Sequence, residues 1–282
     1  MSLRDLPAGP EFQRPAAYQF DTPSDALAKW ADMPSAATAS DNTTVTVLDV
    51  IGDDGIGGGV SAKRIAAALR AIGKRDVTVQ INSPGGDMFE GIAIYNLLRA
   101  HPAAVSIEVL GIAASAASII AMAGDNIRMA RSSFLMLHNA WGVVIGNRHD
   151  MAEAAALFER FDGALADIYA ARSGMARSEI AALLDAETFL TAEEAVAAGI
   201  ADTIAGGADA STYASHAAAQ SRPDIQAKRR IDAALAQQGI PRSERRAMLK
   251  QITGTRNAAE PATHDAGFDP AALRQLLDTL QA

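Results

Sequence analysis

From Thr43 onward, short β-branched runs alternate with helical stretches, and this alternation limits the fold more than any other feature of the chain. Val45–Ile51 suits a buried strand and ends at Gly52-Asp53-Asp54-Gly55. Ser61 can cap a helix with Ile65, Leu69 and Ile72 on one face, stopped by Gly73. A strand Val77–Ile81, the turn Asn82-Ser83-Pro84-Gly85-Gly86, a helix from Phe89 to Ala100 and a strand Ala104–Leu110 follow, and a further helix starts near Ala114. Strands Ile127–Ala130 and Phe134–Leu137 come next, then a loop to Asn147. Leu157, Phe161, Leu165, Ile168 and Tyr169 have helical spacing within Asp150–Arg172, the longest predicted helix. Thr191-Ala-Glu-Glu194 has capping-box form, with Gly199 at the stop. Strands alternating with helices predict an α/β domain with much parallel sheet.

Outside this region the composition changes. Residues 1–40 are rich in Pro, Ala, Ser and Asp without a sustained period and read as an arm, so the folded domain is expected over 41–205. Gly206–Ser221 reads as a linker. Arg222–Arg256 holds nine Lys or Arg against three acids, a net +6 that leaves −14 for the rest of a chain whose total is −8; it reads as a solvated helical face. Asp269-Pro270 opens a predicted helix carrying Leu273, Leu276, Leu277 and Leu280. The expectation for 206–282 is a linker and a helical, partly disordered extension.

The chain has no cysteine, which excludes disulfides, thiolate metal sites and a cysteine nucleophile, and fits a reducing compartment. Val109–Gly124, the longest uncharged apolar stretch, is too short to span a bilayer. The first 40 residues carry charges and prolines without an apolar leader core, so a cytoplasmic protein is expected. The acidic balance argues against a nucleic-acid surface on the main domain.

Two segments are suited to acyl transfer. In Gly111-Ile-Ala-Ala-Ser115-Ala116 a strand ends and a helix begins beside a serine, at the carboxyl end of a sheet where open α/β folds place their sites. The Ala116 amide would lie at the helix start, where N–H groups lack intrahelical acceptors. Ser83-Pro84-Gly85-Gly86 follows another strand, and its glycines expose backbone N–H groups; one of these with the Ala116 amide would form an oxyanion hole. A serine nucleophile needs a base. Of the five histidines, His138 alone directly follows a buried apolar strand; His101 precedes a proline at a helix end, His149 lies in a charged loop, and His216 and His264 lie in the tail. Each element also has an ordinary structural reading: a small residue in a packed helix, a turn, a hydrogen-bonded core histidine. Gly55–Gly59 lacks the Gly-Lys-Ser/Thr of a phosphate loop and reads as a connector.

Jointly, these motifs carry a resemblance. Ile81-Asn-Ser-Pro-Gly-Gly86, Gly91-Ile-Ala-Ile-Tyr95, Gly111 to Ser115, Ala123-Gly124, Met136-Leu-His138, Phe189-Leu-Thr-Ala-Glu-Glu-Ala195 and Gly199-Ile-Ala-Asp202 make the chain from Thr43 to Ile204 similar to the proteolytic subunit of the Clp protease (ClpP). More closely, it resembles the ClpP-related head maturation proteases of phages and prophages. The resemblance implies the ClpP/crotonase-type spiral of ββα units. It also implies Ser115 as nucleophile, His138 as base and the amides of Gly86 and Ala116 as oxyanion donors. The family's triad acid, an aspartate two residues before the Phe-Leu pair, falls on Glu187, and Asp185 is the alternative. The family's Met-Gly after the nucleophile is Ala116-Ala117 here. The long helix matches the handle that joins two rings, so a homo-oligomeric ring is implied. The implied substrate is a capsid or scaffold protein, cleaved in the host cytoplasm or procapsid without metal or cofactor. An AAA+ unfoldase would be the partner if the chain were instead a degradative, ATP-dependent subunit. The rival classes are acyl-CoA enzymes of the crotonase group, which do not require a Ser/His pair, and a catalytically silent capsid scaffold.

Overall fold

The computed structural model describes residues 43–53, 58–206 and 223–252. The expected arm 1–40, most of the expected linker and the helix expected at Asp269-Pro270 lie outside them. The described residues fall into two compact units, one ending at residue 206 and the other beginning at Pro223.

The larger unit is built on a seven-stranded sheet. Strands β1 (Thr44–Val47), β2 (Val77–Ser83), β3 (Val105–Ala114), β4 (Asn126–Met129) and β7 (Thr203–Ile204) lie side by side in that order, all parallel. β5 (Phe134–Leu137) pairs parallel with the far half of β3, and β6 (Thr188–Thr191) pairs antiparallel with β5. The helices are α1 (Ala62–Ile72), α2 (Met88–Arg99), α3 (Ala116–Ala121), α4 (Arg148–Ser173), α5 (Arg177–Asp185) and α6 (Ala192–Ala197). The expected α/β architecture with parallel sheet is observed.

Local signals set most boundaries. Ser61 accepts the Arg64 amide at the start of α1, and Gly73 ends it at φ 75°. Thr191 and Glu194 form the expected capping box of α6. β1 is shorter than expected and stops at Val47, with Ile51 making only isolated bridges to Val60 and Gly86. β3 runs on through Gly111 to Ala114, four residues past the expected end at Leu110, because Ile112–Ala114 find a partner in Phe134–Met136. α4 starts at Arg148, not Asp150: Asn147 caps it, and Asp150 returns a bond to the Asn147 amide.

The core lies between sheet and helices, with Val47, Val79, Ile81, Ile107, Ile127, Met129 and Leu135 fully buried. Arg172 on α4, also buried, donates to the carbonyls of Ile200 (3.2 Å) and Gly124 (3.0 Å) and pairs with Asp202, tying three separated segments together. The first half of α4 is largely exposed, and its second half contributes Phe161, Leu165, Ile168 and Tyr169 to the core.

Among the described residues the second unit is a helix pair, α7 (Pro223–Gln237) and α8 (Arg242–Ile252). The basic stretch is not simply the solvated face expected from its charge: Arg229 and Asp232 are buried, and Arg245 Nε donates to Asp232 at 3.1 Å. Among the described residues, no helix is long and apolar enough to cross a membrane.

Candidate active site

The forked pairing of β3 assembles the site. Its first half pairs with β4, its last three residues with β5, and Ala114 sits opposite Met136. Ser115 follows β3 and His138 follows β5, so both emerge at the same end of adjacent parallel strands. The Ser115 amide donates to the Met136 carbonyl at 2.9 Å. The histidine Nε2 then lies 2.6 Å from Ser115 Oγ. Ser115 has φ 54° and ψ −126°, a conformation that ordinary residues avoid. Strain of this kind persists only where the surroundings impose it.

The Ser83–Gly86 turn packs against this serine. Ser83 Oγ donates to the Asp49 carbonyl (2.7 Å) and accepts the Gly85 amide (3.2 Å). Ile51 straddles Gly86, donating to the Gly85 carbonyl (2.8 Å) and accepting from the Asp87 amide (3.0 Å). Gly85 has φ 91°, and a Cβ there would lie 2.6 Å from the Ala114 carbonyl oxygen and 3.1 Å from Ala116 N, so only glycine lets the turn approach so closely. Ala116 opens α3, where its N–H has no intrahelical acceptor.

His138 is partly buried, and this desolvation lowers its pKa below the usual imidazole value. The Glu187 carboxylate, a backbone hydrogen bond at Asn139 and the Asp162 carboxylate oppose the shift, in that order. Glu187 is exposed and sits at φ 48° in the turn before β6. It does not enter the strand, so its orientation is set by the turn and not by strand alternation with Phe189. Among the described residues no hydrogen bond joins it to His138. Asp185, the last residue of α5, accepts Asn139 Nδ2 at 2.7 Å.

Asp162 was missed by sequence reasoning. It projects from α4, accepts the Ala140 amide at 2.6 Å and faces both His138 and Asp185. Burial raises its pKa, Asp185 adds to the rise, and the Ala140 bond and His138 oppose it. No motif marks it, because its approach depends on how α4 lies across the 138–140 segment. Of the other described histidines, His101 is buried with Nε2 2.8 Å from the Arg75 carbonyl, and His149 is exposed on α4. His216 and His264 lie outside the described residues. An open groove between α4 and α5 runs beside the site, lined in part by Asn139, Phe158, Asp162, Arg177 and Asp185. Among the described residues no cluster of His, Asp or Glu is arranged to hold a metal ion.

Comparison with known proteins agrees with this architecture. The family described as Clp protease matches residues 57–208. An ATP-dependent Clp protease proteolytic subunit of Pleurastrum terricola is 34% identical over 151 residues, 51% of this chain and 77% of that protein. Proteolytic subunit 3 of Rhodococcus jostii is 34% identical over 134 residues, 46% of this chain and 66% of its own. The subunit of Deinococcus radiodurans is 31% identical over 133 residues, 46% of this chain and 65% of its own. A ClpP1 mutant from Listeria monocytogenes matches in fold with a TM-score of 0.52 at 22% identity, over 60% of this chain and 94% of that one. The family match covers more than half of the sequence and includes strands β2 to β7, among them the forked β3 and its partner β5 that carry the Ser115–His138 pair, so the chain belongs to the Clp protease family and is a serine-type endopeptidase.

Proposed function

We propose that Ser115 is the nucleophile, His138 its general base, Glu187 the acid that orients the base, and the amides of Gly86 and Ala116 the oxyanion hole. The observation that carries this reading is the 2.6 Å contact between His138 Nε2 and the hydroxyl of a conformationally strained serine. Ser115 Oγ attacks the peptide carbonyl as its proton passes to His138. The carbonyl oxygen takes up negative charge facing the two amides, and His138 then delivers the proton to the leaving amine. Water, deprotonated by His138, attacks the acyl-serine; the ester bond breaks and the hydroxyl of Ser115 is restored. The lowered pKa leaves His138 neutral, and so able to accept the proton, at neutral pH. Glu187 ranks above Asp185 as the acid because its charge acts most strongly on His138, whereas Asp185 is engaged by Asn139.

The substrate is a capsid or scaffold protein, and the enzyme is a head maturation protease working as a homo-oligomeric ring. Support for the substrate class comes from the joint motifs between Ile81 and Asp202 and from the basic helix pair beyond the family match. Support for the ring comes from apolar side chains left in solvent on one stretch of chain: Phe134, Trp141, Val143, Ile145 and Met151. A second reading, a degradative subunit served by an AAA+ unfoldase, is favoured by the three relatives named above, which are ATP-dependent Clp protease proteolytic subunits.

Co-expression with candidate capsid proteins tests the proposal. Wild type is expected to shorten the capsid chain and Ser115→Ala to leave it whole. Equal processing by both would remove Ser115 from the mechanism, and stimulation of peptide or protein hydrolysis by an unfoldase and ATP would favour the degradative subunit.

A further inference from the structure

Behind the nucleophile, two hydroxyl groups are buried without a part in the mechanism above. Ser118, on α3, is fully buried, and Tyr169, on α4, is 2% exposed. Their oxygens are 2.7 Å apart, and Ser118 Oγ is also 2.6 Å from the carbonyl oxygen of Ser115. The direction of these bonds follows from valence. A carbonyl can only accept, so the single proton of Ser118 points to Ser115, and the Tyr169 hydroxyl must donate to Ser118. Burial raises the Tyr169 pKa, which keeps it a neutral donor across the working range.

The same Ser115 carbonyl accepts the amides of Ser118 (2.9 Å) and Ile119 (3.3 Å). That carbonyl and the Ala116 N–H belong to one trans peptide unit and point in opposite directions from a common plane. Fixing the carbonyl therefore fixes the aim of the N–H. The unit needs fixing, because Ser115 holds it at φ 54° against its intrinsic preference.

We infer that Tyr169, acting through Ser118, is a positioning residue that sets the plane of the Ser115–Ala116 peptide and so aims the Ala116 amide at the oxyanion. The inference rests on the proposed roles of Ser115 and Ala116. It assigns to α4 a chemical task in addition to packing: a hydroxyl relay, Tyr169 to Ser118 to the Ser115 carbonyl, that ends on the donor stabilising the transition state. Neither hydroxyl touches substrate.

Tyr169→Phe and Ser118→Ala each delete one oxygen. They are compared with wild type for fluorophosphonate labelling mapped to its residue, for kcat and KM on a fluorogenic peptide, normalised to labelled sites, and for inhibition by a peptide aldehyde. The aldehyde's hemiacetal oxygen occupies the oxyanion position. Wild type should label at Ser115. Each variant should lose about tenfold in kcat with little change in KM, a fraction of the ~10²–10³ lost when a donor is removed outright. The aldehyde inhibition constant should rise by a similar factor, and the double variant should lose no more than Ser118→Ala alone, since both act in one relay. A lower melting point with kcat per labelled site and aldehyde affinity unchanged would overturn the inference, as would a change confined to KM. Wild type that labels elsewhere would overturn the proposed nucleophile and the inference with it. If Ser118→Ala fails to fold, Tyr169→Phe decides by the same readings.

Discussion

Glu187 combines two properties that make it a sharp test of the proposed triad: it is exposed, and it holds φ 48°. A left-handed backbone costs a non-glycine residue roughly 1–2 kcal/mol, which glycine does not incur. Glycine in turn frees the unfolded chain, offsetting about 0.4–1 kcal/mol. The exposed side chain leaves little packing to lose, so Glu187→Gly should stabilise the domain by about 0.5–1 kcal/mol, a rise in Tm of roughly 1–4 °C. The same change removes the carboxylate facing His138. A buried triad acid is worth up to ~10⁴ in kcat, and an exposed one is screened, so the expected loss is about 10²-fold. Glu187→Gln separates the effects by keeping backbone and size: kcat should fall as far while Tm stays within a degree or so of wild type, at about 0.5 kcal/mol or less. Asp185→Asn should do little to turnover. Fluorogenic peptide hydrolysis per fluorophosphonate-reactive site gives kcat, and thermal unfolding gives Tm. Near-normal turnover in Glu187→Gln with loss in Asp185→Asn would transfer the role to Asp185; mild effects in both would leave a Ser–His dyad. A destabilised Glu187→Gly would refute the strain argument.

Asp162 makes a prediction in pH. Burial lowers the pKa of His138, so the acid limb of kcat/KM should lie below 6.5 in wild type; Asp162 opposes that shift, and Asp162→Asn should move the limb to still lower pH, as pH–rate profiles will show. The folded pKa of Asp162 is raised, so the stability it contributes is present below its unfolded pKa and lost as pH rises through the folded one; at neutral pH the asparagine variant should be at least as stable as wild type in urea unfolding. Arg172→Met removes the guanidinium that the Gly124 and Ile200 carbonyls and the Asp202 carboxylate share and should cost about 3 kcal/mol, a fall in Tm of roughly 6–12 °C, with labelling of Ser115 retained below the transition.

Much of the fold is legible in the sequence because burial imposes periods on it. Phe134–Leu137 is bounded as expected; the helix stop at Gly73 follows from a positive φ and a backbone N–H that donates to the Leu69 carbonyl, and the helix start at Thr191 from a side chain that accepts the Glu194 amide. The extension of β3 through Gly111-Ile-Ala-Ala is hidden because small residues carry little strand signal; pairing with β5 creates it, and the absent side chain of Gly111 makes room for Asn82, whose Oδ1 would lie 2.7 Å from a Cβ there. Ser115 and His138 are legible as a pair because each ends a strand. The positive φ values of Ser115 and Glu187 are not, since local preference would assign glycine to both positions. Asp162 and the Tyr169 hydroxyl escape for another reason. Each lies on a helix whose apolar stripe is readable, but what their polar atoms meet is decided by elements distant in the chain.

Trp141 stands 55% exposed, three residues beyond His138, on the stretch that also presents Val143 and Ile145 to solvent. The chain has one other tryptophan, Trp30. Replacing Trp30 with phenylalanine therefore leaves a single indole fluorophore, three residues along the chain from His138. Its emission is that of a wet indole while the stretch is open, and shifts to the blue when peptide or protein covers it. The enzyme thus carries an intrinsic optical probe, readable in a stopped-flow cuvette without a dye, that separates the arrival of a substrate or a neighbouring subunit from the chemistry proposed for Ser115.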